Sequence, residues 1–553
     1  MSELTLAIRN ARIVDGTGAP AFAGDVGVLG DRITAVGRVE GRAAVEVDAA
    51  GRVLAPGFID PHTHYDPQLC WDGLATPSPE HGVTTLIAGN CSLSLAPVRP
   101  EGRDRVTRLF GVVEDLHYSC FEAGVSYAWE SFPEYVRSMR GRLGPNVGVF
   151  VGHSVLRLYV MGAAAQERAA TPEELGRMCE LLQEAVRGGA FGLSYSFGHL
   201  DEHGRKLPCS FATFEERLAL ADALARIGRG MVETTPNFAD PGNVMALIDE
   251  CGEIASRTGV THTYSPILYT PNLGDTWLRM LTKFSSWRAR GAPLYAQTQT
   301  RPLDQTFRLS RGSLALTKLP TWSGIMHSAL PERIAALSDR LQWGRLDAEL
   351  KPLRGFFDNV SVKNVETGQY RRYIGRKVRD IAAEEKRSYT EVMLDIALAD
   401  DLEAEFALTD YIHADAERVA VLLGHPGLHI GSADAGAHIG QFAGAGDTCY
   451  LFERFVRGAK LFSLEHAVQR LSGDIARDWK IADRGTIATG RLADLVVFDP
   501  DTIARGEEVY VNDVPGGTGR YVRHPQGIAQ VVVNGEVLVD RGEYTAARPG
   551  RVV

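Results

Sequence analysis

In the stretch APGFIDPHTHYD, His62 and His64 alternate across a single residue at the end of an apolar run. Side chains two apart on an extended strand leave the same face, so both imidazoles would point the same way. Imidazole nitrogen suits zinc and its neighbours, and such a pair at a strand end is placed to hold a metal ion. The bare spacing equally suits two unrelated polar residues beside a turn, so its weight depends on what else converges. Asp434, in HIGSADAGAH, lies just past a second apolar run. A carboxylate there can bind a metal and accept a proton from the water the metal activates, although an Asp beside Gly is also a common turn residue. Cys91 closes TTLIAGNC, where a thiolate would be a strong zinc ligand and a buried, inert thiol is the plain alternative.

These positions must be brought together by a scaffold, and the central sequence alternates strand-like apolar runs with segments of helical period. Eight candidate strands are FIDPHTH, TTLIAGNC, VGVFVGHS, GAFGLSYS, GMVETTP, VTHTYSPI, APLYAQTQT and LHIGSADA. Repeated βα units of this kind predict an α/β fold, a (β/α)8 TIM-type barrel of parallel strands. Among the connecting helices, TPEELGRMCELLQEAVRGG carries its own cap, a proline at the first helical position and acids in the first turn. Both chain ends read differently, as short strands and turns without helix; the Asn-Gly pair in VVVNGEVLVD is a hairpin signal. The expected organisation is a small β-sandwich from residues 1–55 plus 478–553 and a barrel over 56–477. Strands seven and eight are separated by residues 303–427, far beyond an ordinary connection, so an insertion is expected. Its second half has helical period and its first half, with Trp322 and Trp343, reads as irregular. A lid over the active face and an inert surface decoration both fit.

Bulk properties narrow the partners. The chain has 553 residues, 44% hydrophobic and 23% charged, with net charge −10 and a sequence pI near 5.9. That balance argues against a nucleic-acid surface and for a small-molecule substrate. No eighteen-residue apolar run and no secretory leader are evident, so a cytoplasmic protein without membrane partner is expected. Seven cysteines without CxxC spacing suit a reducing compartment. Association into a homo-oligomer is left open.

In their order, these elements resemble the amidohydrolase superfamily, and more closely its D-aminoacylase (N-acyl-D-amino-acid deacylase) branch. The resemblance spans nearly the whole chain and rests on PGFIDPHTH with Asp66 following, GNCSLSLAP, GHSVLR with Met161 and Gly162 soon after, GAFGLSYS, GSADAGAH, and the tail ADRGTIATGRLADLVVFDP. It implies a metal-dependent hydrolase that cleaves the amide of a small molecule, an N-acyl amino acid of D configuration, with one or two divalent ions, Zn2+ first. It further implies that His62, His64 and Asp434 ligate the metal, that Cys91 ligates or bridges in place of the carboxylated lysine of other branches, and that Asp434 is the general base.

The sequence departs from the branch at strands five and six, where its members place one histidine each as a ligand. Here strand five reads GMVETTPNF and strand six VTHTYSPI, leaving Glu233 and His262 as the candidate replacements, with a buried Glu paired to a base as the alternative for Glu233 and, if neither binds, a single metal on the His pair and Asp434 with or without Cys91. Deacylases of this kind also need a cation for the substrate carboxylate, since a guanidinium matches that planar anion. Arg301 and Arg157 are the candidates, each with a structural salt bridge as its alternative. Tyr195, His153, Gln297 and Gln299 fall at strand ends and are candidate pocket residues by position, and His438 could orient a ligand. A cyclic amide or imide, a carbamoyl compound or an ester would yield to the same activated water. A barrel that has kept the scaffold and now only binds ligand is the non-enzymatic alternative.

Overall fold

The computed structural model describes residues 4–238, 240–311 and 316–553, apart from the side chains of Pro241 and Lys318. Its centre is a barrel of eight parallel strands: β1 (Phe58–Asp60), β2 (Val83–Ala88), β3 (Asn146–Gly152), β4 (Gly192–Ser196), β5 (Met231–Thr235), β6 (His262–Tyr264), β7 (Leu294–Thr298) and β8 (Leu428–Ile430). Each is one of the eight runs picked out in the sequence. Strands are hydrogen-bonded in chain order, and the circle closes past the ends of β8 and β1, where Thr63 bridges Ala435 and the His64 N–H donates to the Ala435 carbonyl at 2.7 Å.

Parity along the strands decides what faces inward. Ile59, Ile87, Phe150 and Met231 meet Ile475, Trp479 and Ile481 in one buried apolar cluster. Each such buried side chain contributes about 1.5–3 kcal/mol. Helices sheathe the outside: α1 (Arg103–Val113), α2 (His153–Met161), α3 (Pro172–Arg187), α4 (Phe214–Ile227), α5 (Pro241–Thr258), α6 (Thr276–Ala289) and α7 (Leu464–Leu471). The expected cap of α3 is present, with Thr171 and Glu174 satisfying each other's backbone N–H groups.

The two chain ends meet in one nine-stranded sheet. Strand Val53–Pro56 pairs antiparallel with Leu495–Phe498, joining the N-terminal strands to the C-terminal ones. The Asn-Gly hairpin is formed: Val533 pairs Glu536, and Asn534 and Gly535 take the positive φ values that such a turn needs. One feature had no sequence signal. The hairpin of Glu508–Val514 and Thr518–Arg523 leaves this sheet and packs at the barrel mouth, where the Tyr521 N–H donates to the Ile439 carbonyl at 2.8 Å.

The segment between β7 and β8 has a separate core, including Trp322, Trp343, Leu346, Phe357, Val362 and Phe406. Its first half, expected to be irregular, contains helices at Pro320–Met326, Leu330–Ser338 and Trp343–Leu350. The two tryptophans that looked out of place are apolar anchors there, Trp322 donating its indole N–H to the Leu346 carbonyl and Trp343 to that of Leu337. A three-stranded sheet completes the insertion, with Glu405–Leu408 between Gln305–Arg308 and Val360–Asn364. Among the described residues no helix is long and apolar enough to cross a membrane, and the seven cysteines are unpaired.

Candidate metal centre

Beyond β1 the chain stays extended, and Thr63 is pinned outward by its hydroxyl donating to the Ile87 carbonyl. His62 and His64 therefore both turn into the barrel, their ring centroids 5.3 Å apart, and each is 2% exposed. From the end of β2, Cys91 enters in a left-handed backbone conformation (φ 54°), as Asp434 does after β8 (φ 54°). Non-glycine residues pay for that conformation unless the surroundings enforce it, and such strain gathers at functional sites.

The four side chains converge. Asp434 Oδ1 lies 3.4 Å from His62 Nε2 and 3.8 Å from His64 Nε2, and Cys91 Sγ lies 3.6 Å from His62 Nε2. Ligand atoms of His62, His64 and Cys91 all fall within 4.8 Å of one another. Tetrahedral bonds of about 2.0–2.3 Å put neighbouring ligand atoms about 3.3–3.8 Å apart, and the three measured separations lie in that range. Nitrogen, sulfur and oxygen donors of this kind suit zinc. Asp434 alone opens to solvent, its side chain 28% exposed.

Burial sets the protonation of the cluster. It lowers His62 to about 3, opposed by a side-chain hydrogen bond with Gln297, and holds His64 well below its ordinary value, so both imidazoles are neutral as ligands must be. Burial pushes the Cys91 thiol well up, aided by the charges of Glu233, Glu114 and Asp434. It raises Asp434 to about 7, with Arg301 opposing and Asp447 reinforcing. Burial also raises Glu233 to about 8. Acids packed this densely call for a cation.

Glu233 stands behind the cluster. Its Oε2 accepts the Cys91 N–H at 3.1 Å and its Oε1 the Thr235 hydroxyl at 3.0 Å, with His62 Nδ1 4.0 Å away. Both oxygens are thus engaged in holding the Cys91 backbone and the Thr235 hydroxyl. His262 turns away from the cluster. On β6 it is Thr263 that faces inward, accepting from Gln297 Nε2 at 3.2 Å, while Tyr264 packs outward on Phe284 of α6. His262 shares the parity of Tyr264 and its Nδ1 contacts the Val260 carbonyl at 3.0 Å. Strands five and six instead end on hydroxyls: Thr235 Oγ1 lies 3.3 Å from Cys91 Sγ, and Ser265 Oγ 3.1 Å from Ser432 Oγ.

Both arginines offered for the substrate carboxylate are committed elsewhere. Arg157 is fully buried and grips Glu216 of α4, with Nη1 2.5 Å from either carboxylate oxygen; His153 Nε2 bonds the same Glu216 at 2.9 Å. Arg301 is buried against Asp447 and donates to the Ala433 carbonyl at 2.8 Å. Tyr195 shares neither the parity nor the location expected: inward positions of β4 belong to Ser194, which donates to the Gly89 carbonyl, while Tyr195 stacks beside His153 and Phe197 in the helix layer. Gln297 is the one pocket candidate that lies inside the barrel beside His62. Gln299 donates to the Arg301 carbonyl, and His438, in the loop after β8, donates its backbone N–H to the Glu114 carbonyl at 2.6 Å.

 Sequence reasoning missed Glu114, which follows α1 in GVVEDL without any motif around it, and the carboxylates Glu216 and Asp447 that claim the two arginines.

A family described as the amidohydrolase family matches residues 45–304. A D-aminoacylase of Alcaligenes xylosoxydans xylosoxydans is 28% identical over 99% of this chain and 97% of its own. Among solved structures, an N-acyl-D-glutamate deacylase from Bordetella bronchiseptica, complexed with zinc and a phosphonate mimic of the tetrahedral intermediate, is 26% identical with a TM-score of 0.69, covering 100% of this chain and 99% of that one. A D-aminoacylase with a binuclear metal centre is likewise 26% identical, with a TM-score of 0.68 and 99% of both chains covered. Fold and relatives together liken the chain, over nearly its whole length, to amidohydrolases of the D-aminoacylase-like branch, enzymes acting on carbon–nitrogen bonds other than peptide bonds.

Proposed function

We propose that the chain is a cytoplasmic, metal-dependent deacylase of small N-acyl amino acids, D-configured as the names of its relatives have it. The observation that carries the proposal is the convergence of His62 Nε2, His64 Nε2, Cys91 Sγ and Asp434 Oδ1 at separations that suit one tetrahedral ion. These four side chains would hold a divalent ion, Zn2+ first. When bound, such an ion supplies Lewis acidity to a water and to the scissile carbonyl.

The chain's own residues do the rest. Asp434, the solvent-exposed member of the cluster, takes the proton of the attacking water and returns it to the leaving amine. His62 and His64 stay neutral and keep their lone pairs on the ion rather than on a proton. Glu233 fixes the Cys91 backbone through the N–H it accepts, so the strained turn delivers the thiolate to the same point each time. A single ion is the reading that the hydroxyls of Thr235 and Ser265 and the outward-facing His262 support, since strands five and six then contribute no imidazole.

The test combines two measurements on the purified protein. Zinc, manganese, iron and copper are quantified per chain after purification without chelator, and amine release is followed across N-acyl D- and L-amino acids. About one equivalent of metal with selective turnover of D substrates is expected. Less than half an equivalent after reconstitution, or ring-opening of cyclic amides with no release from acyclic ones, overturns the proposal.

A further inference from the structure

Glu114 is a buried carboxylate that the chemistry above leaves without a task. It follows the last turn of α1 as the C-cap residue, and it is 2% exposed. Negative charge at a helix C-terminus is opposed by the helix dipole, and a buried carboxylate without a cation is costly. No lysine or arginine is paired with it among the described ion pairs. What it faces is His64: Glu114 Oε1 lies 3.3 Å from His64 Nδ1, and that oxygen has no hydrogen-bond partner of its own. Its backbone is fixed independently. The Glu114 carbonyl accepts the His438 N–H at 2.6 Å, and the neighbouring Asp115 accepts from Gln441 Nε2 at 2.8 Å, so residues 114 and 115 are stitched to the loop that follows Asp434.

We propose that Glu114 is a positioning residue for the metal centre: it accepts a hydrogen bond from the Nδ1–H of His64, fixes the tautomer that leaves Nε2 free for the ion, and makes that nitrogen a stronger donor. The inference rests on the metal site proposed above. A histidine ligand whose second nitrogen donates to a carboxylate is oriented and made more basic, and losing the carboxylate weakens metal binding about 10–100-fold. The arrangement accounts for a carboxylate at the wrong end of a helix, buried, with one open oxygen. It also explains why the strand after β1 and the loop after α1, distant in sequence, meet there.

The experiment measures zinc affinity of the full chain by competition with a chromogenic chelator at fixed pH, alongside thermal unfolding of the metal-free protein, for wild type, Glu114→Gln and Glu114→Asp. The expected result is a dissociation constant raised about 10–100-fold by Glu114→Gln, a smaller rise with Glu114→Asp, and an unfolding midpoint of the metal-free variants equal to or above that of wild type. The last readout separates positioning from structure, because a carboxylate that merely held the loop would lower the midpoint and leave the affinity alone. Unchanged affinity in Glu114→Gln, or its failure to fold, overturns the inference. A wild type that binds no zinc overturns the metal site itself, and the two failures are thereby told apart.

Discussion

Replacing Asp434 by asparagine separates its two assigned tasks. The amide keeps the size and one carbonyl oxygen of the carboxylate, but it cannot take a proton at neutral pH. Three ligand atoms, from His62, His64 and Cys91, remain within 4.8 Å of one another, and the amide oxygen can occupy the position now 3.4 Å from His62 Nε2. Metal should therefore stay above half an equivalent. Turnover should fall by about 10²–10⁴-fold, the scale of a lost acid–base group, which corresponds to about 3–5 kcal/mol in the barrel's transition state. Substrate affinity should change little by comparison. The assay is amine release under saturating substrate, with metal content measured on the same sample. Near-normal turnover at full occupancy refutes the base assignment, and full loss of metal shows that Asp434 is needed chiefly as a ligand.

Three other outcomes are expected. His62→Ala removes the imidazole whose Nε2 approaches both Cys91 and Asp434, so metal content measured after dialysis should fall below half of wild type while the far-ultraviolet circular dichroism is kept. Treatment with a chelator should abolish amine release and added Zn2+ should restore it; activity that survives with no residual metal would contradict the mechanism. The third concerns acid stability. Burial would raise Glu216, but hydrogen bonds and charge from His153 and Arg157 outweigh it and hold the carboxyl at about 2. A depressed carboxyl stabilises above its unfolded value and loses that contribution as pH falls through the folded one. Wild type should therefore exceed Glu216→Gln by roughly 3 kcal/mol at pH 7, with the gap closing between about pH 4.5 and 2 in denaturant titrations; a gap independent of pH would contradict the pairing.

Much of this was legible because it is written in local pattern. The eight strands announce themselves as β-branched runs ending in turns, and His62 and His64 share a face because they are two residues apart. Cys91 and Asp434 could be placed at strand ends for the same reason. What was not legible depends on contacts between distant segments. Nothing around Arg157 or Arg301 records that Glu216 and Asp447 lie against them, and the helical first half of the insertion is disguised by tryptophans that serve a core visible only once it is assembled. Glu114 lacks a motif because its role depends on where α1 ends relative to His64.

The hardest residue to read was His262, and its case turns on one position of parity. A strand directs alternate side chains to opposite faces, so a histidine one residue early belongs to the helix layer however well its type suits a metal. Register between strands settles the matter: Glu233 pairs Ser194 on one side and Thr263 on the other, and all three face the interior. His262 pairs Val232, which is part of the core between strands and helices. With β6 thus offering hydroxyls to the mouth and both oxygens of the β5 carboxylate hydrogen-bonded to Cys91 and Thr235, the four proposed ligands come from three places on the barrel: the extension of β1, the turn after β2 and the turn after β8. Those three are neighbours around the closed circle, because β8 abuts β1 and β1 abuts β2. A site built on adjacent strands leaves the opposite wall, from β4 to β7, free to shape the substrate pocket.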